Sequence, residues 1–185
     1  MNTHERIVAA AAELTTESGW AAITMTRLAD HVGVSRQTVY NEIGTKPRLA
    51  EEMVLRELAS FLSEVDRAFD AHPDDLVAAI RAACRGVLEF AQDNRLLKAV
   101  VSATHGADTE LLPLLTTHAE PLLGTAKDVV RGRVAAYDVA LPPERLDAAI
   151  DLIVRVVLSH VMQPSGSPQQ AADDIAWLSA HVLQG

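Results

Sequence analysis

Apolar residues recur along this chain at spacings of three and four, and no stretch alternates with the period of two that a half-buried strand needs. The pattern predicts helices throughout. The first runs over 3–18, with Thr3 as its cap and Ile7, Ala10, Ala11 and Leu14 facing inward, and Gly19 ends it. Thr24 suits the cap of a short second helix over 25–32, Gly33-Val34 a tight turn, and Ser35 the cap of a third helix over 36–43. After a break at Gly44-Thr45, Pro47 fits the first turn of a long fourth helix that reaches about residue 71. His72-Pro73-Asp74 closes that helix and opens another, to about residue 92. Further helical stretches are expected over 96–103, 111–115, 121–137, 144–162 and 169–183, with a loop at 104–108 and a Pro/Ser/Gly linker at 164–168. No internal repeat or low-complexity tract interrupts this order.

The two short helices joined at Gly33 cannot bury themselves alone and must pack steeply against the first. Leu28, Val32, Val34, Val39 and Ile43 supply the inner faces, and Ala29 allows close approach where the helices cross. Val39 and Ile43 are four apart and share one side of the third helix. Gln37, Tyr40 and Asn41 then project from the other side, with Arg36 and Thr38 at its exposed start. These side chains suit base edges: Arg can bind guanine bidentately, Gln or Asn adenine, and a Thr methyl can meet the thymine methyl. Tyr and Thr hydroxyls also reach phosphates. Lys46, at the start of the fourth helix, can hold a phosphate together with free backbone N–H groups, and the start of the second helix offers Thr24 and Thr26 in the same way. The candidate DNA-contacting set is therefore Thr24, Thr26, Ser35, Arg36, Gln37, Thr38, Tyr40, Asn41 and Lys46.

These residues resemble the N-terminal domain of the TetR family of repressors. The shared features are Thr24, Leu28-Ala29, Gly33-Val34-Ser35, Tyr40, and Lys46 followed by Leu49. The resemblance covers roughly residues 3–50. Two positions depart from it. The family often has His-Phe where this chain has Glu42-Ile43, which keeps an apolar plug and adds a negative charge. It often has Gly where Gln37 stands, so an extra side chain is available here for base reading. The resemblance implies an all-α homodimer of about nine helices per chain. A three-helix helix-turn-helix domain at 1–46 would precede a helical ligand-binding and dimerisation domain at 47–185, and the last two helices would form the dimer contact. Two recognition helices would then enter successive major grooves about 34–36 Å apart on a near-palindromic double-stranded operator.

Composition sharpens this picture. The formal net charge of −9 argues by itself against a nucleic-acid partner. Residues 1–50, however, balance Arg6, Arg27, Arg36, Lys46 and Arg48 against Glu5, Glu13, Glu17, Asp30 and Glu42, so the whole excess lies in 51–185. A neutral head on an acidic body suits a protein that meets phosphates with the head only. Aromatics are 4 % of the chain, against an apolar fraction of 49 %, which favours helices packed on helices. The single cysteine, Cys84, permits neither an intrachain disulfide nor a Cys-rich zinc site and reads as a small buried residue. No signal pattern or long apolar run is present, so a cytoplasmic protein that does not enter membranes is expected.

In the body, Leu146, Ile150, Ile153, Val154, Val157, Leu158 and Val161 follow helical spacing, and Leu152 and Val156 widen the stripe. Ile175, Leu178 and Val182 line the last helix, with Trp177 beside them. Ile150, Val154, Val157, Leu158, Val161, Ile175, Leu178 and Val182 are the expected dimer residues; ordinary core is the alternative. Candidate walls of an effector cavity are Phe61, Phe90, Leu97, Val101, Leu111, Leu115 and His118, with His105 as a further polar candidate. Their apolar character points to a neutral, lipid-like or fatty-acyl effector that would shift the body and release DNA, making the protein a repressor. An activator, or a nucleoid or adaptor protein with the same head and no effector, stays open. The seven histidines form no HExxH and no nucleophile–base spacing, so an enzyme, a metal site and a cofactor are not expected.

Overall fold

The computed structural model describes residues 1–102 and 111–184, and among these every regular element is helical. The elements are α1 (Thr3–Ser18), a 3-10 turn (Trp20–Ala22), α2 (Met25–Val32), α3 (Arg36–Ile43), α4 (Lys46–Ala71), α5 (Leu76–Asp93), α6 (Arg95–Ser102), α7 (Leu112–Leu115), α8 (Glu120–Val134), α9 (Pro143–Met162) and α10 (Pro168–Gln184). The fold is the all-α one that the periodicity implies. His105 and the 104–108 loop lie outside the described residues.

Polar side chains set the helix starts. Thr24 Oγ1 accepts the Arg27 N–H at 3.1 Å, and Ser35 Oγ accepts the Thr38 N–H at 3.0 Å, as the sequence implies. At α1 the cap is Asn2 rather than Thr3. Asn2 Oδ1 accepts the Glu5 N–H at 2.8 Å, and the Glu5 carboxylate returns to accept the Asn2 N–H at 3.0 Å. This reciprocal box satisfies two orphan donors, which a Thr3 cap paired with Arg6 could not do. Asp75 and Asn94 cap α5 and α6 through the N–H groups of Ala78 and Leu97.

Two compact units make up the chain. One comprises Met1–Glu57 and Asn94–Ala119, the other Leu58–Asp93 and Glu120–Gly185. In the first, α1, α2 and α3 pack on one another and α6 packs on α1. Its core gathers Ile7, Ala11, Leu14, Trp20, Ile23, Leu28, Val39, Ile43, Leu49 and Met53, all nearly or fully buried. Gly33 sits at φ 75°, ψ 40° at the α2 end, a left-handed conformation that L side chains avoid, and this turn ends α2 and lets α3 pack back against it. In the second unit α5 packs on α9 and α10, and α8 on α9. Val65, Phe69, Ala79, Ala83, Val87 and Val134 form one core cluster, and Ile80, Cys84, Ala172 and Ile175 another. Burial pushes the Cys84 thiol up to about 12 from 9.0, so it rests as a protonated core residue.

Candidate nucleic-acid interface

Helix α3 is two turns long, and its two faces differ completely. Val39 is 0 % and Ile43 1 % exposed, and they hold the helix to the core. Arg36, Gln37, Tyr40 and Asn41 stand on the exposed side, and Thr38 is half-buried. The 3.6-residue period produces this division: positions 36, 37, 40 and 41 share the side opposite 39 and 43.

The outward side chains are ordered along the helix in two parallel pairs. Arg36 Nη2 donates to the Tyr40 hydroxyl at 3.3 Å, and its guanidinium carbon lies 5.4 Å from the Tyr40 ring centroid. Gln37 Nε2 donates to Asn41 Oδ1 at 2.9 Å. Both are i,i+4 neighbours on one helix face. Ser35 Oγ and Thr38 Oγ1 lie 2.9 Å apart, so the cap hydroxyl is engaged with Thr38 as well as with its backbone.

The supporting contacts come from residues far away in sequence. Lys46 Nζ donates to the Trp20 carbonyl at 3.1 Å and lies 4.8 Å from the Trp20 ring centroid. Its ammonium is thus fixed at the start of α4 by the 3-10 turn rather than extended into solvent. Arg6 donates to the Val32 carbonyl at 2.7 Å, which satisfies an acceptor at the end of α2. His4 bridges two elements: Nδ1 lies 3.2 Å from the Glu42 carbonyl at the end of α3, and Nε2 lies 2.9 Å from Glu52 Oε2 on α4. Arg48 Nε donates to the other Glu52 oxygen at 3.1 Å. Spacing alone gave no sign of the His4, Arg6 or Trp20 contacts, because their partners are 38, 26 and 26 residues away. Thr24 and Thr26 are exposed at the start of α2.

The other expected sites are distributed as follows. Phe61 and Phe90 meet edge to face, with centroids 4.8 Å apart, in the second unit. Leu97, Val101, Leu111, Leu115 and His118 belong to the first; Leu111 and Leu115 are buried, Leu97 and Val101 half-buried, and His118 exposed. Of the expected dimer residues, Ile150 and Ile175 are buried, and Val157 and Val161 pack against the second unit's core. Val154 and Leu158 are half-buried. Leu178 and Val182 are exposed, and with them are Leu152 and Trp177, each 63 % exposed, and Val156. The widest part of the apolar stripe seals the unit's own core, and its far edge faces outward. Among the described residues no group of three or more His, Cys, Asp or Glu side chains could hold a metal ion, and no helix is long and apolar enough to cross a membrane.

A Gly-turned helix pair with a polar, solvent-facing second helix is the architecture of a helix-turn-helix DNA-binding protein. Residues 7–53 match the family of bacterial regulatory proteins of the tetR type, and residues 75–181 match the C-terminal domain of the bacterial tetracyclin repressor. The HTH-type transcriptional regulator AlkX of Mycobacterium tuberculosis is 30 % identical over 160 residues, covering 86 % of this chain and 74 % of that protein. The crystal structure of the TetR family repressor AlkX from Dietzia sp. strain DQ12-45-1b, implicated in biodegradation of n-alkanes, superposes with a TM-score of 0.79 at 27 % identity, covering 99 % of this chain and 96 % of that one. The nucleoid occlusion factor SlmA of Vibrio cholerae is 34 % identical over 103 residues, 55 % of this chain and 52 % of that protein. The chain belongs to the TetR family of helix-turn-helix transcriptional regulators.

Proposed function

We propose that this regulator is a homodimeric repressor, with residues 1–46 as the DNA-reading head and 47–185 as the sensing and dimerising body, and that a small apolar effector releases it from a near-palindromic operator. The observation that carries the DNA-binding part is α3, which turns Arg36, Gln37, Tyr40 and Asn41 outward while Val39 and Ile43 anchor it. Lys46, Thr24, Thr26, Ser35 and Thr38 are assigned as backbone-positioning groups. The exposed apolar edge of Leu152, Val156, Trp177, Leu178 and Val182 supports self-association, since a patch of this kind marks an interaction surface. A twofold pair also matches a twofold operator. The protein works in the cytoplasm, where its DNA lies.

The effector reading rests on the apolar edge-to-face pair Phe61 and Phe90 within the second unit, and on the connection of the Dietzia AlkX repressor to n-alkane degradation. The effector class is a long-chain hydrocarbon or a fatty-acyl derivative. Because α4 starts next to the recognition helix and is 26 residues long, a change in its course would carry the head with it. The test is a gel shift on a selected operator with added n-alkanes, fatty acids or acyl thioesters. Release by one of these classes, with a matching rise in melting temperature of the free protein, is the expected result. A complex indifferent to all three, in a protein stabilised only by hydrophilic ligands, contradicts it.

The match to a nucleoid occlusion factor favours a second reading, a chromosome-wide DNA binder without an effector. Genomic fragments bound by the purified protein separate the two: a repressor selects a few promoter regions, a nucleoid factor many sites spread over the chromosome. Transcript levels in a deletion strain then distinguish repression from activation.

A further inference from the structure

On the proposal that α3 reads DNA, we infer that Gln37 is an adenine-reading residue and that Asn41 is the positioning residue that fixes its amide. Gln37 is the second residue of α3, in the N-terminal turn from which recognition helices reach base edges. It is exposed, and its Nε2 gives one proton to Asn41 Oδ1 at 2.9 Å. An amide nitrogen has two protons, and this bond uses one. We assign this bond to the Nε2 proton trans to Oε1, which leaves the cis proton and the Oε1 lone pairs side by side on one edge of the group. That donor–acceptor edge complements adenine, whose N7 accepts and whose N6 amino group donates.

Asn41 contributes a different chemistry. One lone pair of its Oδ1 is engaged by Gln37, and its Nδ2 protons suit a phosphate or a base acceptor. Its main effect is on Gln37. A free glutamine rotates about three side-chain bonds and can present its amide either way round, so ordering it on DNA costs rotamer entropy. The Asn41 bond sets the orientation before DNA arrives. The neighbouring pair cannot take this role, because Arg36 presents only donors and its Tyr40 partner a single hydroxyl.

The test uses the full chain and a library of random-sequence duplex DNA, with enrichment read by sequencing for the wild type and for Gln37→Glu, Asn41→Ala and Asn41→Asp. The wild type is expected to enrich adenine at one position of each half-site. Gln37→Glu should turn that position from adenine to cytosine, since a carboxylate accepts from the cytosine N4 amino group, with an adenine-to-cytosine change in relative affinity of about 10-fold or more. Asn41→Ala should keep adenine preferred but weaken its discrimination by roughly 3-fold, the signature of lost orientation rather than of a lost base contact. Asn41→Asp retains an acceptor for Nε2 and should restore the discrimination at lower overall affinity. Circular dichroism melting of each variant checks that it folds. A wild-type motif whose every position is unchanged by Gln37→Glu overturns the assignment alone. A wild type that enriches no sequence overturns it together with the DNA-reading proposal on which it rests.

Discussion

The ammonium of Lys46 is held by the main-chain carbonyl of Trp20 at 3.1 Å and sits over the ring of the same residue, 4.8 Å from its centroid. Trp20 is 1 % exposed, so a rigid core side chain fixes a cation at the start of α4, where Thr45 Oγ1 already accepts the Arg48 N–H at 3.4 Å and Pro47 has no N–H to offer. One of the three ammonium protons is used by the carbonyl, which leaves the others for a phosphate oxygen. Lys46→Ala should therefore weaken binding to all DNA sequences alike, and the slope of log affinity against log salt should become shallower by about one. Salt titrations by fluorescence anisotropy check this; an unchanged slope would mean that the ammonium serves only the Trp20 contact.

Stability and DNA reading separate cleanly on α3. Ile43 is 1 % exposed, and Ile43→Ala should cost about 2–5 kcal/mol in urea unfolding by leaving a cavity in the head. Asn41 is exposed, and Asn41→Ala should stay within about 0.5 kcal/mol of the wild type. The two helix faces are misassigned if the larger loss belongs to Asn41.

Trp177 and Leu178 are 63 % and 56 % exposed and adjacent on α10. On the proposed self-association, placing a charge there would bury it at an apolar contact between copies. Sedimentation velocity should show Trp177→Glu and Leu178→Glu as monomers at concentrations where the wild type is dimeric, with helical content retained. Because operator binding needs both heads, the same variants should lose affinity for a two-half-site duplex far more than for a single half-site.

The Cys84 thiol, held protonated by burial, should react with aromatic disulfide reagents at pH 8 only as fast as the protein opens. Denaturant should raise the rate sharply. Rapid stoichiometric labelling of the folded protein would contradict its place in the core.

Asp151 accepts hydrogen bonds from Arg155 Nε at 2.8 Å and from Lys127 Nζ at 2.9 Å, and these hold its carboxyl below the ordinary value of 3.8. A depressed folded value means that the unfolded chain binds the proton first as pH falls. The contribution to stability is therefore complete above the unfolded value and lost as pH drops through the folded one. The melting-temperature gap between wild type and Asp151→Asn should be constant near neutrality and close below pH 3.8.

Periodicity made the architecture legible. The boundaries of α2 and α3 agree with the sequence reading because Thr24, Gly33 and Ser35 are local signals whose partners lie within four residues. The outward set on α3 was legible for the same reason: two buried positions four apart dictate what faces solvent. The bracing of that surface was not. Lys46–Trp20, Arg6–Val32 and the His4 bridge join residues that only the packed fold brings together. At α1, Thr3 and Asn2 are both good caps, and only the position of Glu5 three residues after Asn2 decides between them. The α9 stripe shows a further limit. Its strongest periodic residues, Ile150 and Val157, mark the inner face, whereas the outward edge is carried by Leu152 and Val156.

Hydroxyl-radical footprinting of the purified protein on its best-enriched genomic fragment tests the central claim most directly. Two protected patches are expected, with centres about 34–36 Å apart along the duplex and related by a twofold axis. Both should fade in an Arg36→Ala/Tyr40→Phe variant that melts like the wild type. A fragment left unprotected, or a footprint that the variant reproduces in full, contradicts the assignment of α3 as the surface that meets DNA.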